Sequence, residues 1–434
     1  MPSSRLWFLI LCALCAAGQE THWIPRYVEE VSAANKAWTA KDYAACRRRL
    51  TALLELVDGR ADIVYRLAQT EAALGNRNDA LKWLTLFSRM KLPFADPQTD
   101  PAFGDLRERH EFADVVSRLE AARQPVSHSE RVLTLAEKDL ISEDIAYDAS
   151  GGRFYISSVR YGKILSVTRD GTTAEFLPAG APNVWAILAL RVDARRRYLW
   201  ATTAAMPENR NYRQEDRGRS ALLRFSLGDG ALMKRYDLPR DAEHVLGDMT
   251  LSPSGDVFVS DSHGPVFWVA HGDDRLQVLV PAGTFRSPQT PALSPDGRLL
   301  FVPDYSRGIS AVDLRSKGVH LLPHPPELSL AGIDGLYLTR QTMLAVQNGV
   351  SPARIIRLKL DTSLNRITGF EVLESNWAGL GVPTHGVVDG SRFYFIANSG
   401  WDRMTDDGQL KPGAVFESPT VRELRISGVQ AGPM

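Results

Sequence analysis

Six short stretches of the chain open on residues that could share one site. Their first residues are Glu143, Leu188, Gly247, Gln289, Asp334 and His385, with Asp144 and Asp248 one step further along. Carboxylates crowded together repel one another and are costly to remove from water, so a bound hard cation with oxygen ligands is the simplest compensation. The alternative is that these side chains bond backbone amides of neighbouring elements. A histidine at such a place is either a ligand or a hydrogen-bonded structural residue; as an imidazole it could hold a substrate or relay a proton.

For residues so far apart in sequence to meet, the elements that carry them must repeat. After Gln124-Pro125 the chain turns to short alternating apolar stretches broken by Asp-Gly, Ser-Gly and Gly-Gly, the pattern of β-hairpins. A strand, a turn and a second strand recur at 143–158, 188–203, 247–262, 289–304, 334–349 and 385–400. A further strand is expected after each copy: Lys163 to Val167, Ser220 to Phe225, Val266 to Val269, Ile309 to Val312, Arg354 to Leu358 and Val421 to Ile426. Six copies of this kind predict a six-bladed β-propeller over 128–434, in which the first residue of each copy points to a common axis. The segment Arg131 to Ala136 precedes the first copy and is placed to complete the last blade, leaving no open sheet edge.

At these residues the chain resembles the senescence-marker-protein, gluconolactonase and luciferin-regenerating-enzyme family of six-bladed propellers. The resemblance is carried by Glu143-Asp144-Ile145-Ala146-Tyr147, by Asp334-Gly335-Leu336-Tyr337-Leu338 and by Pro383-Thr384-His385-Gly386-Val387-Val388. It implies one divalent cation, usually calcium, on Glu143 and Asp334. It also implies an activity, hydrolysis of a lactone or ester carbonyl, with Asp334 as the metal-bound base and His385 as a second catalytic group. The family draws asparagine ligands from two intermediate blades; in this chain Gln289 stands there as a weaker oxygen ligand and Leu188 as none, and Asp248, His385, a carbonyl or a water are the available replacements. The competing expectation is a non-catalytic propeller that binds a small molecule or a protein.

Ahead of the propeller, 24–124 reads as helical hairpins. Apolar residues recur at helical spacing from Tyr27 to Leu56 and from Ile63 to Met90, and a third, degenerate pair follows from Pro101 to Ala122. The turns Lys41-Asp42-Tyr43-Ala44-Ala45 and Arg77-Asn78-Asp79-Ala80 are offset by about 35 residues, near the tetratricopeptide period of about 34. Tyr65, Ala68, Gly75, Ala80 and Leu84 resemble that repeat, which implies either a surface for docking a protein partner or a module that packs on the propeller.

Arg5 followed by an apolar run from Leu6 to Ala17 reads as an export signal over 1–18, giving a periplasmic or secreted protein, with an uncleaved anchor as the alternative. Loss of the signal leaves Cys46 as the one cysteine, so the mature chain relies on packing rather than disulfides. The 434 residues hold 51 Lys plus Arg against 51 Asp plus Glu, a balance without a footprint for nucleic acid or an anionic membrane surface. The polar run from Met206 to Arg219 carries Arg210, Arg213, Arg217 and Arg219, and reads either as a solvated loop or as a selector of an anionic or sugar-like substrate.

Overall fold

A computed structural model describes residues 23–273 and 275–426. The expected export signal lies outside the described residues. Among those described, no helix is long and apolar enough to cross a membrane.

The helical part begins with α1 (Trp23–Thr39), α2 (Tyr43–Leu56), α3 (Ala61–Ala73) and α4 (Arg77–Arg89). Asp42 caps α2 by accepting from the Ala45 amide at 2.9 Å. Gly75, at φ 79°, makes the left-handed reversal between α3 and α4 that a side chain would disfavour. The degenerate third pair is a 3₁₀ turn (Pro101–Leu106) followed by α5 (His110–Ala122). Helical periodicity places Ile63 and Leu67 of α3 against Cys46, Leu50 and Leu53 of α2, while Val64 and Ala68 face Leu84, Phe87, Phe103 and Val115.

The rest is a ring of six antiparallel sheets. The innermost strands are Ile145–Asp148, Ala186–Asp193, Leu246–Leu251, Ala292–Leu293, Ile333–Thr339 and Gly386–Asp389. The ring closes as expected: Ser129–Thr134 pairs with Thr420–Arg425, so the chain's first long strand is the outer strand of the sixth blade. A short strand, Val126–Ser127, adds to the outside of blade five at Ser375 and Glu374. Buried residues of adjacent blades interlock, as where Tyr394 and Ile396 of blade six meet Ile145 and Phe154 of blade one.

In such a sheet, the starts of the innermost strands lie at the same end as two sets of loops. These join the second strand to the third, and each blade to the next. The helices dock on loops of that end. Trp23 donates its indole N–H to Thr284 O at 3.0 Å, Arg307 donates to Leu56 O at 2.9 Å, and Asn376 donates to Ala122 O at 2.8 Å.

The deepest link is Arg354, which is fully buried. Its guanidinium donates to Met90 O at 2.9 Å, to Lys91 O at 3.2 Å and to Gln347 Oε1 at 2.7 Å. Burial pulls its basicity down to about 9. We expect Arg354→Ala to destabilise the protein by about 3 kcal/mol, since two carbonyls and an amide lose a charged donor inside the junction. The check is a urea titration, in which the helices should become protease-sensitive before the propeller melts.

Candidate hub site

The hub is built from residues at the mouths of the innermost strands. Glu143 and Asp144 precede the first strand of blade one, Asp248 and Asp334 lie in those of blades three and five, and His385 precedes that of blade six. Suitable ligand atoms of Glu143, Asp334 and His385 all fall within 4.8 Å of one another. Asp334 and His385 are buried, whereas Glu143 keeps partial exposure.

His385 is nearly inaccessible, and acidic groups flank both ring nitrogens. Its Nε2 lies 2.9 Å from Asp248 Oδ1 and 3.5 Å from Asp334 Oδ1, and its Nδ1 lies 3.9 Å from Asp144 Oδ1. Among the described residues neither ring nitrogen has a hydrogen-bond partner of good geometry, so charge attraction to the flanking carboxylates holds the ring. Burial works against the imidazolium, but the carboxylates of Asp248 and Asp334 outweigh it and raise the histidine well above its usual range.

Other side chains fix the carboxylates. Asn348 Nδ2 donates to Asp334 Oδ2 at 2.6 Å and to Pro383 O at 3.0 Å, and Tyr305 donates to Asn348 Oδ1 at 3.0 Å. Thr290 donates to Asp248 Oδ1 at 2.5 Å. The Trp401 indole donates to Glu143 Oε2. Burial pushes Glu143 up to about 8, against the lowering effects of His385 and Trp401; burial likewise raises Asp248. Asp144 belongs to a separate cluster: it accepts from Arg191 at 2.6 Å, from the Leu190 amide at 2.7 Å and from the Ile145 amide at 2.8 Å.

With Arg191 committed to Asp144, one imidazole faces the three carboxylates of Glu143, Asp248 and Asp334. That crowding of buried carboxyl groups, together with mutually close donor atoms, fits a divalent cation on Glu143, Asp334 and His385, whose binding would displace the protons that burial favours there. We expect Trp401→Phe to weaken cation binding at neutral pH, because Glu143 loses the donor that favours its ionised form; calorimetric titration of the variant checks this.

The remaining first residues behave differently. Gln289 turns its amide nitrogen to Ser287, at 3.0 Å from Oγ and 3.3 Å from the carbonyl oxygen. Leu188 sits in an apolar cluster with Ile141, Val159 and Ala186 that Trp401 also joins. Gly247 falls at the bulge between Leu246 and Asp248, which is how Asp248 comes to face the hub.

Sequence reasoning missed Asn348, Trp401 and Arg191. Asn348 was findable, since it follows directly on Gln347, which pairs with Ile333 next to Asp334, so the hairpin register brings it to the same strand mouth. Trp401 had no local signal, because its loop reaches Glu143 only through ring closure. In the polar run, Arg210, Arg213, Arg217 and Arg219 lie 3.3, 3.8, 2.9 and 2.6 Å from carboxylates of Asp139, Glu215, Glu243 and Asp216, so the loop presents paired rather than free cations.

No family model and no curated protein matches the chain. Solved structures do. The allergen Mala s 1 of Malassezia sympodialis aligns with a TM-score of 0.50 at 13% identity, covering 69% of this chain and 97% of that one. Luciferin-regenerating enzyme aligns at 0.49 and 12% identity over 71% and 98%, and a gluconolactonase from Xanthomonas campestris at 0.46 and 16% over 70% and 95%. At such identities the likeness speaks to the fold alone.

Proposed function

We propose that this chain is an exported, divalent-cation-dependent hydrolase of a small lactone or ester. The observation that carries the reading is the convergence of Glu143, Asp334 and His385 on one point of the hub. A cation held there would polarise the carbonyl under attack and offset charge developing on its oxygen. Asp334, oriented by Asn348, accepts the proton of the attacking water. That proton passes to the leaving oxygen as the acyl carbon–oxygen bond breaks, while Asp248, 2.9 Å from His385, orients the imidazole through its charge. Glu143 is the anchoring ligand. The resemblance in the sequence points to calcium, whereas the nitrogen of His385 suits manganese or zinc better.

The test is turnover of a panel of aldonolactones and aryl esters with calcium, manganese or zinc, and with a chelator. Cation-dependent hydrolysis is expected. Absence of turnover on every substrate, or turnover that a chelator leaves intact, would refute the reading.

One observation favours a second reading. A protonated His385 between Asp248 and Asp334 offsets one of their two charges without an ion, which suits a non-catalytic propeller that binds a small molecule and uses its helical hairpins to dock a protein partner. In that case the protein holds no cation, and ligands raise its melting temperature without being consumed.

A further inference from the structure

A second site lies at the same end of the ring, between the loop after the second strand of blade two and the loop of blade six. Gly408 packs so tightly on Pro207 that a Cβ there would lie 2.2 Å from the Pro207 oxygen, so the two loops are locked together. They enclose a cleft of about 830 Å³, a volume suited to a small molecule.

The charges around this cleft do not balance. Its three arginines meet two carboxylates, Arg160 and Arg210 sharing Asp139 at 3.4 and 3.3 Å and Arg217 lying 2.9 Å from Glu243, which leaves one positive charge against three further acids. The acidic groups that remain are Glu208, Asp406 and Asp407. Among them Glu208 stands out, because it is 9% exposed and its Oε2 is buried with no hydrogen-bond partner among the described residues. A carboxylate oxygen left in that condition is costly, and the lowering effect of the residue's own backbone amide does not outweigh burial.

We infer that this cleft binds a cationic small molecule, an amine or a guanidinium, with Glu208 as the counter-ion and Asp406 as a second acidic contact. Asp406 adds to the field at Glu208, and burial and that neighbour together raise the glutamate's acidity range, which a bound cation would reverse. Met206 and Val245 line the cleft and supply apolar surface for a carbon chain. They pack on the same buried cluster as Trp401, so the cleft adjoins the hub without sharing its ligands. The inference does not depend on the hydrolase reading.

The experiment is calorimetric titration of the full chain with agmatine, n-butylamine and butyrate. Agmatine and butylamine are expected to bind and butyrate not to. Glu208→Gln should weaken agmatine by at least about 30-fold, the loss typical of removing one partner of a buried charged pair. Asp406→Asn should weaken it less, and Asp334→Asn should leave it unchanged, which separates this site from the hub. Without ligand, Glu208→Gln should melt no lower than the parent, because it removes an uncompensated buried charge. No amine binding at millimolar concentration, butyrate binding as tightly as butylamine, agmatine affinity unchanged by Glu208→Gln, or a lower melting temperature for that variant would each overturn the assignment.

Discussion

Asp334→Asn should lower lactone or ester turnover by about 10³-fold while leaving the fold intact, the scale expected when a positioned general base is removed. The substitution keeps the side chain's shape, but Oδ2, which now accepts from Asn348 at 2.6 Å, and Oδ1, which faces His385 at 3.5 Å, cannot both remain acceptors. The charge that favours a cation is lost at the same time. Steady-state kinetics should show the fall mainly in kcat/KM, and unfolding in urea should show little change. A variant retaining a tenth or more of the parental rate would remove Asp334 from the proton-accepting role.

Arg191→Met should destabilise the chain by about 3–5 kcal/mol, the cost of stranding one member of a buried ion pair. Asp144 is fully buried, and Arg191 is the cation bonded to it, at 2.6 Å. With the arginine gone, the amides of Leu190 and Ile145 are the remaining donors in contact with the carboxylate. The double variant Arg191→Met with Asp144→Leu should recover part of the loss, since no charge then remains to be solvated. Urea midpoints for the single and double variants measure both effects. A single variant as stable as the parent would show that the two amides suffice.

Most of the fold was legible because period-two alternation and turn residues report strands directly. The third strands expected at Lys163 to Val167 and Ser220 to Phe225 are observed at Lys163–Thr168 and Ser220–Ser226. The closing strand was readable for a different reason: a ring of sheets has no place for an unpaired edge, and the strand at Ser129–Thr134 fills it. The third helical pair was less legible, since the Pro101 to Leu106 stretch winds as a 3₁₀ turn that apolar spacing does not separate from an α-helix.

The hub was half legible. Strand starts nominate Glu143, Asp334 and His385, because position in a repeat is a sequence property. What each side chain does there is not. Leu188 and Gln289 occupy equivalent starts, yet one joins an apolar cluster and the other turns to its own loop. Asp144 and Asp248 are alike in sequence, both one step past a strand start. Arg191 claims the first, and a bulge turns the second toward His385. Such outcomes depend on which neighbour arrives across a blade boundary, and local pattern does not encode that.

The most direct test of the hub is titration of metal-stripped protein with manganese, zinc and calcium, followed by measurement of bound metal. One equivalent of a divalent cation should bind the parent and be lost in both Glu143→Gln and Asp334→Asn. Retention of that equivalent in both variants, or no binding by the parent, would contradict a cation site made by these side chains.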